Sequence, residues 1–450
     1  TANWLQAMLS SWDYFPAAGL VGAKLVFPGG SLQEAGGIVF ANATAWHYGR
    51  GDDPRLPRYY FARAVDYCSG ACLMIETSLF QELHGFDSHY SPAYYEDTDL
   101  AFRVRALGRS VIYQPRAEVI HFEGATSGTD PDAGPKRYQT INLKKFEQRW
   151  RSVLDEQPLA PERCEPTSEQ HGFDTEYAAN HRKRRGHVLI IDALSPAPDQ
   201  DSGSMRMFNL TQVLRELDYR VSFLPQNLAW IKNYTSNLQA AGVEMLTAPW
   251  VTDISSYLEK HGHRFSTIIL SRYYVATRFI DDVRRCVPKA RVLFDTVDLH
   301  YLRQRRLAEL KEDTVLIKRA RDTQLAELAV ARKCDVTLVV SPAEKEILAE
   351  EAPDIKVHVV SNIHTVFGLK KTYSERRDLL FIGGFQHPPN ADGVLWFVRE
   401  VFPHVLQKLP GVRLHIVGSK ATGEILALNG ESVIVHGFVE DANPFFNDCR

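Results

Sequence analysis

Charge of one sign is what this chain lacks most plainly. Its 52 Lys and Arg stand against 55 Asp and Glu, a formal net charge of -3. No overall positive field is available to draw phosphate backbones, so nucleic acid is not an expected partner. No apolar run approaches the ~20 residues that span a bilayer, and no signal peptide is visible. Cysteine is sparse, with Cys68, Cys72, Cys164, Cys286, Cys334 and Cys449 scattered over different elements. That pattern excludes a disulfide framework and fits free thiols in a reducing compartment, hence the cytoplasm. A Gly-x-Gly-x-x-Gly loop is missing as well, which argues against a nucleotide-sugar epimerase or dehydrogenase. There is no initiator Met, and the sequence reads as cut at its front.

What is present is globular. With 44% hydrophobic and 24% charged residues over 450 positions, the chain is too long for one ordinary core and implies two or three domains. Its most informative stretch is Tyr94-Tyr95-Glu96-Asp97-Thr98-Asp99-Leu100. Leu100, Val104 and Leu107 recur at i, i+4 and i+7, and Gly108 follows where a helix cap belongs, so the three acids open a helix. Acids there suit the helix dipole, at ~0.3–1 kcal/mol each, and capping alone would explain them. The same cluster can also bind a proton or a cation.

Neighbouring segments add to that reading. Gly19-Leu-Val-Gly-Ala-Lys-Leu25, Leu32-Gln-Glu-Ala-Gly-Gly37, Tyr67-Cys-Ser-Gly-Ala-Cys-Leu-Met74 and Leu83-His-Gly-Phe-Asp87 precede or flank the acids. Val119-Ile-His-Phe-Glu-Gly124 and Ser127-Gly128 follow. In this order, residues 1–128 resemble the second half of a family-2 glycosyltransferase of the GT-A fold, the kind that builds bacterial surface polysaccharides. The resemblance implies that Asp97, with Glu96 beside it in a Glu-Asp motif, is the base that deprotonates the acceptor hydroxyl. It implies that Gly36, Gly37, Ser69 and Gly70 line the pocket, and that His121 stands where some members supply a metal ligand for Mg²⁺ or Mn²⁺. For His121 a strand-end histidine satisfied by hydrogen bonds is an equal alternative. The family's Asp-x-Asp at the end of an earlier strand, which holds the cation, is not found; Asp97-Thr98-Asp99 has the same spelling but, at a helix start, reads as the base motif, and Asp130-Pro-Asp132 and Asp199-Gln-Asp201 read as turns.

From His187 the rhythm changes to strand, helix, strand, helix, as in a doubly wound parallel sheet. Strands are expected at 188–194, 221–224, 267–270, 292–294 and 336–340, with helices such as 205–217 and 323–331. A second series begins at Leu379–Gly384, with one long helix over 391–409 and strands at 413–418 and 432–438. Gly203 and Arg206, in the loop after the first strand, resemble the acceptor-side glycine loop of family-4 glycosyltransferases. Ser361, Asn362, Gly383, Gly384, Gly418, Phe438 and Val439 fall in segments similar to that family's donor lobe. There the resemblance implies diphosphate against Gly383 and Gly384, and the base against Phe438 and Val439. An expected Arg and Lys after the first donor-strand glycine are replaced by Gly384-Phe-Gln-His-Pro-Pro-Asn390, and the chain stops at Arg450 before a Glu-x₇-Glu region.

The fold expected is therefore α/β, a partial GT-A nucleotide-diphospho-sugar transferase domain plus a two-lobed GT-B module of tandem Rossmann-like units. The boundaries expected are 1–154 for the partial GT-A domain, 155–186 for a polar, proline-bearing linker, 187–370 for the acceptor-side lobe and 371–450 for a partial donor-side lobe. The function expected is glycosyl transfer from a nucleotide sugar to a saccharide or lipid-linked acceptor. A non-catalytic glycan-binding or scaffold protein retaining these folds is the alternative. The basic run His181-Arg-Lys-Arg-Arg185 is compatible with peripheral contact at the cytoplasmic face of the inner membrane, although such runs are more often simply solvated.

Overall fold

The computed structural model describes residues 2–122, 134–161, 175–179, 185–364, 366 and 368–450. Of the expectations above, those on Glu123, Gly124, Ser127, Gly128, Asp130, Asp132, Cys164 and 181–184 lie outside the described residues. Two compact units result. One comprises 1–195 and 211–361, the other 196–210 and 362–450. The break expected near 370 falls close to the one at 361, whereas 155–186 lies inside the first unit.

The first unit holds two main sheets. Strands β1 (Ala18–Val26), β2 (Leu32–Glu34), β3 (Gly37–Val39), β4 (Ala45–His47), β5 (Arg63–Ala64), β6 (Leu73–Ile75) and β7 (Ser110–Ile120) come first. β1 and β7 run parallel at the centre; β2 and β6 pair with β1, and β5 with β7, antiparallel. β3 and β4 form a separate antiparallel ribbon. Every residue of β1 is buried, which is why it reads as a near-continuous apolar run rather than an alternating one, broken only by Lys24, which pairs with Glu118 at 2.7 Å.

A helix spans Glu96–Ala106 as expected, with Gly108 at φ 74° beyond its end. Leu100 and Val104 are fully buried as the spacing indicated, and the stripe departs from it only at its end. Leu107 is exposed, while Ala101 and Phe102 are fully buried. The helix Tyr138–Leu154 covers that flank, packing Phe146 and Trp150 at 4.9 and 5.4 Å between ring centroids from Phe102.

The second sheet contains β8 (Gly186–Asp192), β9 (Tyr219–Pro225), β10 (Val243–Met245), β11 (Thr267–Ser271), β12 (Arg291–Asp295), β13 (Val336–Val339) and β14 (Val357–Val359). All are parallel, in the order β10-β9-β8-β11-β12-β13-β14, so the winding reverses between β8 and β11. This is the doubly wound sheet read from the sequence. β10 and β14 were not foreseen, because three residues are too short to show a period.

Segments flanking the two sheets touch directly within this unit. Arg215 donates to the Tyr14 carbonyl at 2.6 Å, and the Ala62 amide donates to the Gln239 carbonyl at 2.9 Å. The segment expected to be a bare linker contributes a short helix, Thr175–Ala179. Ala178 is buried in the core built around β3, β4 and the helix Glu96–Ala106. Glu176 pairs with Arg220 at 2.6 Å and also with Arg264, while Arg220 and Arg264 reach the buried Glu244 at 3.1 and 3.0 Å. These buried guanidinium–carboxylate pairs tie the segment to the parallel sheet.

The second unit is built on β15 (Leu379–Ile382), β16 (Leu414–Val417) and β17 (Val433–Gly437), all parallel in that order. The single helix expected over 391–409 is instead a helix Pro388–Trp396, a π turn Phe397–Val401 and a helix Phe402–Lys408. Pro403 accounts for the break. It lacks an N–H and its ring crowds the carbonyl one turn back, so the ladder shifts register ahead of it. No helix among the described residues is long and apolar enough to cross a membrane.

Candidate functional site

The acids at 96–99 divide between two roles. Asp97 Oδ2 accepts from the Gly70 amide at 2.8 Å, and Oδ1 from the Thr98 amide at 2.6 Å. Next to it, the Ser69 amide donates to Glu34 Oε1 at 3.0 Å. Two consecutive backbone N–H groups thus clamp two carboxylates side by side. Glu34 Oε2 lies 2.5 Å from His47 Nδ1, and Tyr67 stands beside both acids. The expected Ser69 and Gly70 therefore meet Asp97 in space, and Glu34, His47 and Tyr67 join them unannounced. A signal for Glu34 was the run Leu32-Gln-Glu-Ala-Gly-Gly37 itself; nothing local marked His47.

Electrostatics follow from this crowding. Burial raises the pKa of Asp97 above the ordinary carboxylate range and Glu34 adds to the rise, against the lowering by the two amides. Burial and the neighbouring Asp97 raise Glu96. His47 is lowered by burial, but the Glu34 carboxylate outweighs that and holds the imidazole above its usual value. A carboxylate with a raised pKa is a stronger base than a solvated one once ionised. Burial also raises the Tyr67 phenol, with Glu34 and Asp97 adding to it.

Asp99 faces the other way. Fully buried, it accepts from Arg103 Nε at 2.7 Å, Trp150 Nε1 at 2.8 Å and Tyr90 Oη at 3.2 Å. It belongs to the packing of two helices rather than to the site. The approach to Asp97 is held by Asn142, whose amide donates to the carbonyls of Tyr90, Ala93 and Tyr94 at 2.7, 2.8 and 3.0 Å. Tyr94 and Tyr95 both take φ 73°, a left-handed conformation that costs a bulky residue of order 1 kcal/mol or more.

Other expected residues are placed as follows. A Cβ on Gly37 would fall 1.9 Å from the Tyr67 ring, and one on Gly36, at φ 78°, would fall 2.6 Å from Val65. Their missing side chains make room for those two residues. His121 directly follows β7, and its Nδ1 sits 3.2 Å from Gln33 Oε1. Among the described residues no group of three or more His, Cys, Asp or Glu side chains converges to hold a metal ion.

In the second unit the expected glycines cluster at the carboxyl ends of the strands. A Cβ on Gly418 would fall 1.9 Å from the Gly383 carbonyl, so the two backbones touch only because Gly418 has none. Around Gly384 there is room: a Cβ would meet the Gln200 carbonyl at 3.6 Å and Ser419 Oγ at 3.7 Å. Asn390 Nδ2 donates to the Gly384 carbonyl at 3.0 Å and fixes the turn. Gly203 and the buried Arg206 lie on the helix Ser202–Glu216, started by Asp201, which accepts from the Ser204 amide. Ser361, Asn362 and Phe438 are exposed and Val439 is half-buried.

Residues 376–450 match the family model described as Glycosyl transferases group 1. Relatives of the chain include N-acetylglucosaminyl-diphospho-decaprenol L-rhamnosyltransferase of Mycobacterium tuberculosis, 30% identical over 141 residues, covering 28% of this chain and 45% of that protein. The O-antigen biosynthesis protein RfbC of Myxococcus xanthus is 29% identical over 133 residues, covering 28% of this chain and 10% of that protein. The chain thus spans less than half the length of either relative. Sucrose-phosphate synthase from Thermosynechococcus elongatus, a solved structure, aligns at 12% identity over 59% of this chain and 74% of its own, with a TM-score of 0.41. The group 1 segment and the rhamnosyltransferase relatives accord with the two glycosyltransferase resemblances read from the sequence.

Proposed function

We propose that this protein is a glycosyltransferase of bacterial surface polysaccharide synthesis, acting at the cytoplasmic face of the inner membrane on a nucleotide-sugar donor and a saccharide or lipid-linked acceptor. In this reading a first module over 1–154 and a second over 187–450 each serve transfer. One observation carries the first module: the Asp97 carboxylate, held by the Gly70 and Thr98 amides and raised in pKa by burial and Glu34. The relatives' names support the reaction class and the polysaccharide setting.

In the proposed step Asp97 takes the proton of the acceptor hydroxyl. The acceptor oxygen bonds to the anomeric carbon, the bond from that carbon to the diphosphate breaks, and the nucleoside diphosphate leaves with the bonding pair. The Gly70 and Thr98 amides aim the carboxylate without protonating it. In the second module the open backbone at Gly384, the Asn390-held turn and the Gly203–Arg206 helix start are the parts proposed to receive a diphosphate sugar.

Replacing Asp97 by Asn tests this. The amide keeps the shape and removes the basicity, so transfer by the first module should fall by about 10²–10⁴-fold with substrate binding retained. Turnover by Asp97→Asn equal to wild type, in an assay for release of nucleoside diphosphate, sinks the assignment.

A further inference from the structure

The parallel sheet of the first unit carries a helical hairpin at its edge, His300–Lys311 followed by Thr314–Lys333. Its inner side is buried through Ala320, Leu328, Val330 and Ala331, with the polar Thr323 and Glu327 enclosed among them. The outer side is unusual for a solvated surface. Val315 is 73% exposed, Leu325 62%, Ile317 47% and Leu307 46%. Ile317, Arg321 and Leu325 stand at i, i+4 and i+8, one stripe of a single helix, and Lys318 lies seven residues before Leu325. Between the helices a cleft is lined by Tyr301, Arg305, Ile317, Arg321 and Gln324.

Charge distinguishes this face from the rest of a nearly neutral chain. Over 303–325 there are seven basic residues against four acidic. Arg303 and Arg305 are paired, with Asp298 and Glu351, and Asp313 is spent capping the second helix. That leaves Arg306, Lys311, Lys318, Arg319 and Arg321 around the exposed apolar side chains, with Glu309, Glu312 and Asp322 as the local acids. An ordinary exposed helix alternates charges of both signs and buries its leucines. Apolar side chains ringed by cations instead match a surface that is negative outside and hydrocarbon beneath, as a bilayer with anionic headgroups is.

We propose that the hairpin 300–333 docks this protein on an anionic lipid bilayer, with Val315 and Leu325, on the side of the second helix away from the buried Thr323 and Glu327, entering the headgroup boundary and Arg306, Lys311, Lys318, Arg319 and Arg321 at the phosphates. A protein partner would need acidic patches complementary to this ring, and it is left as an outcome of the test. The inference extends the lipid-linked acceptor of the proposed function by placing a contact with the membrane on a defined surface. Because vesicle binding is read without any transfer assay, its failure leaves the transfer reading standing, and the reverse holds too.

The experiment is flotation of the full chain with vesicles of phosphatidylcholine alone or with about a third phosphatidylglycerol, at low and at raised salt. Binding to the anionic vesicles and not to the neutral ones is expected, weakening with salt. The reversal Lys318→Glu, Arg319→Glu, Arg321→Glu should weaken the partition by roughly 100-fold, at about fivefold per residue. Val315→Ser with Leu325→Ser, which keeps the charge, should lower binding and make what remains more sensitive to salt. An equal reversal on a distant exposed region, Lys260→Glu, Lys289→Glu and Arg291→Glu, controls for net charge and should bind nearly as wild type. Circular dichroism establishes that each variant is folded. Absence of binding to anionic vesicles overturns the proposal. So does binding that the hairpin variants leave unchanged, which would assign it to another surface, and so does capture of an acidic protein that the hairpin variants abolish while vesicles are ignored.

Discussion

Asp97 and Asp99 are two residues apart, and opposite outcomes are expected when each is removed. Asp99 accepts the indole N–H of Trp150 at 2.8 Å, and it lies 2.7 Å from the nearly buried Arg103. In Asp99→Ala the Arg103 guanidinium keeps the Leu83 and Gly85 carbonyls, and Arg149 keeps Asp87, so the loss is milder than that of a charge left wholly alone. Breaking one side of a buried pair typically costs about 3–5 kcal/mol, and those remaining carbonyls place this case near the lower end. For a unit of this size that corresponds to a fall in Tm of roughly 4–5 °C. Asp97→Asn should do the reverse. The folded protein raises the pKa of Asp97, so the stability the proton brings is present below the unfolded pKa, about 4, and is lost as pH rises through the folded value. At neutral pH the Asn variant should melt at or above wild type while losing transfer. Scanning calorimetry beside a nucleoside-diphosphate release assay reads both. If Asp99→Ala melts with wild type, or Asp97→Asn melts well below it, the division of these acids between packing and chemistry is mistaken.

Two further outcomes are expected. Glu327, fully enclosed where it accepts from the His300 and Tyr301 amides at 3.1 and 2.9 Å, is pushed by burial up to about 7. Its stabilising contribution is therefore present below about pH 4.5 and is lost as pH rises through 7, on the order of 3 kcal/mol, so Glu327→Gln should flatten that part of a stability-against-pH curve measured by urea unfolding; an unchanged slope would refute it. Glu176→Ala removes the carboxylate shared by Arg220 and Arg264, and protease should then cut within 155–186 several-fold faster than in wild type; equal rates would mean that this segment is not pinned by those pairs.

Much of the fold was legible because its signals are local. The apolar runs of β8, β9, β11, β12 and β13 are long enough to read, and the helix opened by Glu96, Asp97 and Asp99 announces itself by acid, stripe and glycine. Glycine placement foretold the turns of the second unit, where Gly418 is needed for backbone contact with Gly383. What only the tertiary structure decided is which groups meet. In one helical turn Asp97 and Asp99 point about 200° apart, and the sequence is silent on which side the helix Tyr138–Leu154 will cover. His47 reaches Glu34 through the separate ribbon of β3 and β4, and Glu176 reaches Arg220 and Arg264 across a segment whose composition reads as linker. Periodicity records a residue's own element, whereas ion pairs, raised pKa values and the sharing of amides depend on elements distant in the chain, and those are set by packing.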